Sequence, residues 1–317
     1  MGLLSTASAV SRKSGPEVIY LAHLDEDWAI SLVPHGGYVL SVVTEACIAH
    51  QASSELTSPI HVGAHYINQM VVGAAEIRLR VVKEGKNFVN IVADLEQEGT
   101  LRFTAHFIFS RSILSTYPLK APAPGSQFGR LIPFQTPPQT LLPKRPWDDN
   151  LPWFPYIRWA VDPSFSMAGT NGLTHWGAWV ELNDPVSQNT LSSLGVFADC
   201  IFNLGFLWPK EVTGGASWQP TLTLDLEWKH PIPAPSAAHA PRTVGVYVVS
   251  GYLGAPQSRH STFVEIWSAP AGIAEKKKLL RDGWREEQVL LAVSAQMQLI
   301  SNGDANFGQR SRASSKL

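Results

Sequence analysis

Residues 34–51 read PHGGYVLSVVTEACIAHQ, and the fold reading starts from them. After Pro34-His35-Gly36-Gly37-Tyr38, the run from Val39 to Gln51 is apolar almost throughout, with Glu45 its lone acid, which predicts an apolar helix. The paired glycines let another element approach the start of that helix closely, and the first backbone N–H groups there have no partner inside the helix. Four strand-like runs follow: IHVGAHYI (60–67), AEIRLRVVKEG (75–85), NFVNIVADLEQEG (87–99) and LRFTAHFIFS (101–110). Glu84-Gly85-Lys86 and Gln97-Glu98-Gly99 punctuate them as hairpin turns. Residues 16–113 therefore read as one helix followed by an antiparallel meander.

The same order returns further along. Strand-like HWGAWVEL (175–182) precedes the apolar helix LSSLGVFADCIFNLGFL (191–207), and then come TLTLDLEWKH (221–230), TVGVYVVSGYL (243–253), STFVEIWS (261–268) and VLLAVSAQMQLI (289–300). Two copies of one order of elements predict a tandem, pseudo-symmetric α+β protein. The expected divisions are a flexible N-terminus (1–15), a first unit (16–113), a linker (114–152) whose prolines prevent regular structure, a second unit (153–302) and a flexible tail (303–317). The stretch 268–288, with Lys276-Lys277-Lys278, is expected to be a solvated excursion, a grip on ligand phosphates being the alternative.

The chain has 317 residues and 44% hydrophobic content, enough for more than one average core. Twenty-five Lys and Arg against 26 Asp and Glu give a net charge of -1, which offers no basic field to nucleic acid or an anionic membrane. No apolar run reaches the roughly 20 residues that cross a bilayer. The start MGLLSTASAVSRKSG lacks the apolar core of a signal peptide, so the protein is expected to stay inside the cell. Its Gly2 fits a loose acylation pattern that is common by chance and anchors weakly. Cys47 and Cys200 each sit in an apolar run and read as reduced core thiols, with neither a disulfide nor a metal expected. The polar, basic segment SNGDANFGQRSRASSKL ends in Ser315-Lys316-Leu317, the tripeptide read by the peroxisomal import receptor. A peroxisomal location, with that receptor as a partner, is the expectation.

Taken together, the first-half pieces PHGGY, HVGAHYINQMVVGAAEIRLRVVKEGKNF and LRFTAHFIF, and the second-half pieces WGAWVELNDP, FADC, TLTLDLEWKHP and VLLAVSAQMQLI, carry a resemblance over about residues 16–302. Their order and spacing resemble the double-hotdog acyl-CoA thioesterases of the thioesterase-like superfamily, including bacterial type II enzymes and peroxisomal relatives. The resemblance implies a long helix wrapped by an antiparallel sheet in each half, with the active site carried by the second. It also implies an acyl-CoA substrate, no cofactor, and a catalytic set of helix Asp, strand Thr or Ser, and last-strand Gln holding a water. Carried over residue by residue, these fall on Asp199, Thr221 and Gln296. Thr223 is the alternative hydroxyl, since the family often has an Asp where this chain has Thr223. Exposed sheet faces commonly pair in this family, so a homo-oligomer is left open.

The same residues have a reading of their own. Asp199 is the only charged residue between Asp184 and Lys210, and a helix so poor in charge has no wet face. A carboxylate there needs a partner; the plainer account is an Asp capped by Asn203 or a backbone group. Strand alternation puts Thr221, Thr223, Asp225 and Glu227 on one face, so periodicity does not choose between the threonines. Ser294, Gln296 and Gln298 likewise share a face, which on its own reads as a polar strand face. His35, Gly36 and Gly37 are candidate substrate-binding residues, either offering amide N–H groups to a carbonyl oxygen or merely permitting close packing. Glu45 falls one position out of register with Asp199 and reads as part of a degenerate half-site, while Cys200 has no basic neighbour in sequence to make it a nucleophile. The rival functions are another hotdog chemistry on a biosynthetic thioester, such as hydratase, dehydratase, product release or cyclisation, and a silent acyl-CoA binder. A hydratase would need a His paired with the acid, and no such set follows Asp199 in sequence.

Overall fold

In the computed structural model, residues 3–30, 32–111, 122, 126–127, 129–144, 151–165, 173–201, 218–252 and 258–301 are described. A short helix, α1 (Leu4–Ala7), leads to strands β1 (Ser11–Arg12) and β2 (Ile19–Leu24), a small hairpin of β3 (Ala29–Ile30) and β4 (Val33–Pro34), and then helix α2 (Gly36–Gln51). Four long strands complete the first half: β5 (Ser58–Tyr66), β6 (Gly73–Glu84), β7 (Phe88–Gln97) and β8 (Thr100–Ser110). After the linker come β9 (Ile157–Val161), β10 (Leu173–Leu182), helix α3 (Ser193–Asp199), β11 (Thr221–Trp228), β12 (Thr243–Tyr252), β13 (Arg259–Ser268) and β14 (Leu290–Leu299). The β7–β8 turn places Glu98 and Gly99 at φ 52° and 70°, the two positive values a tight two-residue hairpin demands.

Twelve strands form one antiparallel sheet in the order β1-β2-β6-β7-β8-β5-β11-β14-β13-β12-β10-β9. Each half lays its strands out in the same sequence from the middle outward: β5, β8, β7, β6, β2 on one side and β11, β14, β13, β12, β10 on the other. The repeat read from sequence is therefore a repeat of topology. Its seam is β5 against β11, with His61 to His65 paired with Glu227 to Thr223. Both helices pack on the same face of the sheet, α2 over β5, β6 and β7 and α3 over β12, β13 and β14, and they pack against each other. A continuous core of buried residues runs through both halves.

Several expectations change in detail. The N-terminal residues 1–15, expected to be flexible, include α1 with Leu4 and Ala7 buried and β1 paired to β2, because those two apolar side chains find a place in the core. Part of the linker is bound to the outer face of the second half. Ile132 and Phe134 are buried there, with the Phe134 ring 4.5 Å from that of Trp179. Asp162 accepts the Gln135 and Thr136 N–H groups at 3.0 Å each. In the 268–288 excursion Ala269, Ala271 and Ile273 are buried while Lys276 and Lys277 are exposed and Lys278 is half-buried. Of the predicted second helix, Ser193–Asp199 is seen; residues 202–217 lie outside the described residues, as do the tail 302–317 and its Ser315-Lys316-Leu317. Cys47 and Cys200 are free and buried. No helix among the described residues is long and apolar enough to cross a membrane.

Candidate active site

The site lies where the last residue of α3 meets the first turn of α2. Gly37 and Gly195 make that approach feasible: a Cβ on Gly37 would sit 2.4 Å from the Gly195 carbonyl oxygen and 2.6 Å from Asp199 Cβ. One on Gly195 would sit 3.0 Å from Ser41 Oγ, and that hydroxyl donates to the Ser192 carbonyl at 2.6 Å. With the helices held so close, Asp199, 9% exposed, receives the Gly37 N–H on Oδ2 at 2.7 Å. The C-terminal end of α3 is an unfavourable place for a carboxylate, and the N-terminal end of α2 supplies the compensating donor and dipole.

His35 caps α2, its Nδ1 accepting the Tyr38 N–H at 3.4 Å. In the neutral ring that leaves the proton on Nε2, which lies 3.2 Å from the Asp199 carbonyl oxygen and 3.5 Å from Asp199 Oδ2. The imidazole is buried beside the Trp153 ring, 5.3 Å between centroids. Tyr66, at the end of β5, donates to the Gly36 carbonyl at 2.8 Å. A Cβ on Gly36 would stand 2.9 Å from Asp199 Oδ2 and 3.3 Å from Tyr66 Oη. Burial first, and the Asp199 charge second, push both the Tyr66 phenol and the Cys200 thiol well above their ordinary pKa. Cys200 is thus a protonated core thiol, as its sequence context suggested.

From the sheet, Gln296 reaches up from β14 and donates to the Ala198 carbonyl at 2.7 Å. Gln298 donates to Gln296 Oε1 at 3.1 Å and approaches Thr221 Oγ1 at 3.4 Å. A β-bulge decides which threonine joins them. Thr221 pairs with Gln298, but Thr223 pairs with Met297, so one extra residue is inserted in β11. Cross-strand partners share a face, which puts Thr221 inside with Gln298 and turns Thr223, with the exposed Asp225 and Glu227, to the outside. The inference from strict alternation that both threonines face one way is therefore corrected. The polar face of β14 is likewise the buried one: Ser294, Gln296 and Gln298 are all buried.

The structure thus gathers Asp199, Thr221 and Gln296 from the second half with His35, Gly36 and Gly37 from the first, and sets Thr223 apart. It adds Gln298, which the sequence reading took for part of a plain polar strand face, and Tyr66, which it did not single out and whose signal was its place at the end of β5. The absent His of the sequence reading is supplied by the other half, as His35. Glu45 accepts a hydrogen bond from Ser192 Oγ at the opposite end of the helix pair from Asp199. Lys276, Lys277 and Lys278 follow β13 beyond its Ser268 end, the end opposite His260 and Thr262.

Residues 24–110 match the family model of the acyl-CoA thioesterase N-terminal domain. No curated protein matches the chain in sequence. Among solved structures, a protein from Thermobifida fusca YX assigned as a thioesterase II superposes with a TM-score of 0.70 at 18% identity, covering 95% of this chain and 99% of that one. A hot dog fold protein from Alicyclobacillus acidocaldarius gives 0.68 at 15% identity over 94% and 97%. The acyl-CoA thioesterase II TesB2 of Mycobacterium marinum gives 0.65 at 12% identity over 95% and 99%. The chain thus carries a match to an acyl-CoA thioesterase N-terminal domain over residues 24–110 and shares the hotdog fold of these structures along nearly its whole length.

Proposed function

We propose that the chain hydrolyses an acyl-CoA to the free acid and CoA, and that it does so as a tandem double hotdog with halves at 16–113 and 153–302. The observation that carries this reading is the buried carboxylate of Asp199, gripped at Oδ2 by the Gly37 N–H and joined through the adjoining Ala198 carbonyl to Gln296. Asp199 accepts a proton from a water oriented by Thr221 and Gln296, and the resulting hydroxide attacks the thioester carbon. The His35 N–H is already bonded to the Trp28 carbonyl and the Gly37 N–H to Asp199, so the oxyanion is assigned to the Gly36 amide of the same turn. No covalent acyl-enzyme is required.

Thiol release from short, medium and long acyl-CoAs tests the proposal. Asp199→Asn is expected to lower kcat by about 10²- to 10⁴-fold in a protein that remains folded; an unchanged rate removes Asp199 from the chemistry. One observation favours a second reading. The His35 and Asp199 side chains stand 3.5 Å apart across the two halves, the His and acid pairing a hydratase needs, and mass analysis showing a hydrated or dehydrated acyl-CoA in place of free CoA would establish that chemistry. We further propose import into peroxisomes through Ser315-Lys316-Leu317. Deleting Leu317 from a fluorescent fusion is expected to turn a punctate signal diffuse, and retention of the punctate pattern would refute the assignment.

A further inference from the structure

The inner face of the second half changes character along its length. Away from Asp199 it is apolar, with Trp228, Ile266 and Ala292 buried. Towards Asp199 it becomes polar across three adjacent strands: Thr221, Gln298 and His260 form one cross-strand row, and Gln296 and Thr262 the next. Neighbouring strands are about 4.8 Å apart, so His260 and Thr262 lie one strand beyond the glutamines. The first half shows that the fold does not need this polarity. There β7 buries Val89, Ile91, Ala93 and Leu95, and β8 buries Phe103, Ala105, Phe107 and Phe109.

Several of these polar groups are left without partners. His260 and Thr262 are each 1% exposed, and among the described residues neither imidazole nitrogen nor the Thr262 hydroxyl has a hydrogen bond of good geometry, the Gln298 side chain being within weak bonding range of the imidazole. Ser294 Oγ and Gln298 Oε1 are buried and unpaired too. A buried polar atom with no partner is costly, and native proteins avoid it. Four residues so placed on adjoining strands, beside Gln296 and Thr221, form a face whose bonding capacity the described residues leave unfilled. Burial lowers the His260 pKa, with a weak hydrogen bond to the Gln298 side chain opposing this, so the imidazole is neutral at neutral pH. A neutral imidazole, two hydroxyls and an amide oxygen offer donors and acceptors but no charge.

We propose that the acyl group this chain takes carries an uncharged oxygen function, a hydroxyl or carbonyl beyond the thioester, which is bonded by His260, Thr262, Ser294 and Gln298. This rests on the acyl-CoA reading of the Asp199 site and names the class of acyl group. Octanoyl-CoA, 3-hydroxyoctanoyl-CoA, 8-hydroxyoctanoyl-CoA and suberoyl-CoA, offered to the full-length protein, test it by thiol release. A hydroxyacyl-CoA is expected to exceed octanoyl-CoA in kcat/KM by about tenfold or more, and the ratio is expected to collapse towards one in His260→Leu/Thr262→Val. If that double variant does not fold, near-isosteric Thr262→Val alone must reduce the ratio. Preference for octanoyl-CoA or the charged suberoyl-CoA, or a ratio unmoved by the substitutions, overturns the proposal. Binding of the thioethers octyl-CoA and the two hydroxyoctyl-CoAs separates the two levels. With no thiol released from any substrate, tighter binding of a hydroxyoctyl-CoA upholds the polar face and ends the hydrolase reading, and equal binding ends the polar-face proposal.

Discussion

Asp199 and Thr221 show how far single residues can be read. A lone charge inside an apolar helix is conspicuous in sequence, and its burial and its N–H donor from Gly37 follow from the same logic that made it conspicuous. The threonine could not be chosen that way. Alternation of period two holds only while each strand advances one residue per partner, and the insertion between Thr221 and Thr223 breaks it. Thr221→Val is therefore expected to lower kcat by roughly a hundredfold, as loss of an oriented polar partner at a reacting centre does, whereas Thr223→Val should leave it within about twofold, since that side chain faces away. Parallel rates for the two variants, measured by thiol release, would mean that the bulge does not decide the hydroxyl. His260 and Thr262 were legible by the same period. They alternate with Ser261 and the 57% exposed Phe263 and share the face of buried Val264 and Ile266, but an aromatic residue draws attention inward and here it points out.

At the scale of elements, composition found the helices and strands, while the contacts between them stayed hidden. The first helix was plain from its apolar run, and eleven of its sixteen residues are buried. That Gly37 serves a helix crossing is visible only with Gly195 opposite, 158 positions away in sequence, because a Cβ at either residue would strike the other helix. The two meanings weighed for the glycine pair are therefore one: close packing delivers the Gly37 N–H to Asp199. The linker was legible as irregular from its prolines, yet not as bound. Gly245 explains the difference, since a Cβ there would come 2.9 Å from the Phe134 ring and 3.0 Å from that of Trp179. A gap on the outer sheet face thus receives an aromatic from the linker, and no local pattern announces such a fit. The lysine run, by contrast, with Lys276 and Lys277 exposed, behaves as charge runs commonly do.

Across the whole molecule, the two halves share a sheet through β5 and β11, a core, and a site to which each contributes. The repeat was legible because both copies keep their element order; the division of labour was not, because it depends on which copy carries the polar inner face. A chain knit in this way is expected to respond to acid as one unit. Burial lowers the pKa of His50, His239 and His260 below the ordinary histidine value. For a group whose folded pKa is depressed, the unfolded chain takes up the proton first, so stability falls as pH drops through the unfolded value of about 6.5 and continues to fall until the folded value is passed. Tm measured from pH 8 to pH 5 should therefore hold steady above about pH 7 and decline below about 6.5. His260→Leu, which removes the most deeply buried of the three imidazoles, should make that decline shallower whatever it does to Tm at pH 8. A variant whose Tm falls as steeply with acid as that of the parent would show that His260 already has a partner holding its proton in the folded state, and the unpaired inner face would then have to be reconsidered together with the acyl group it is built to receive.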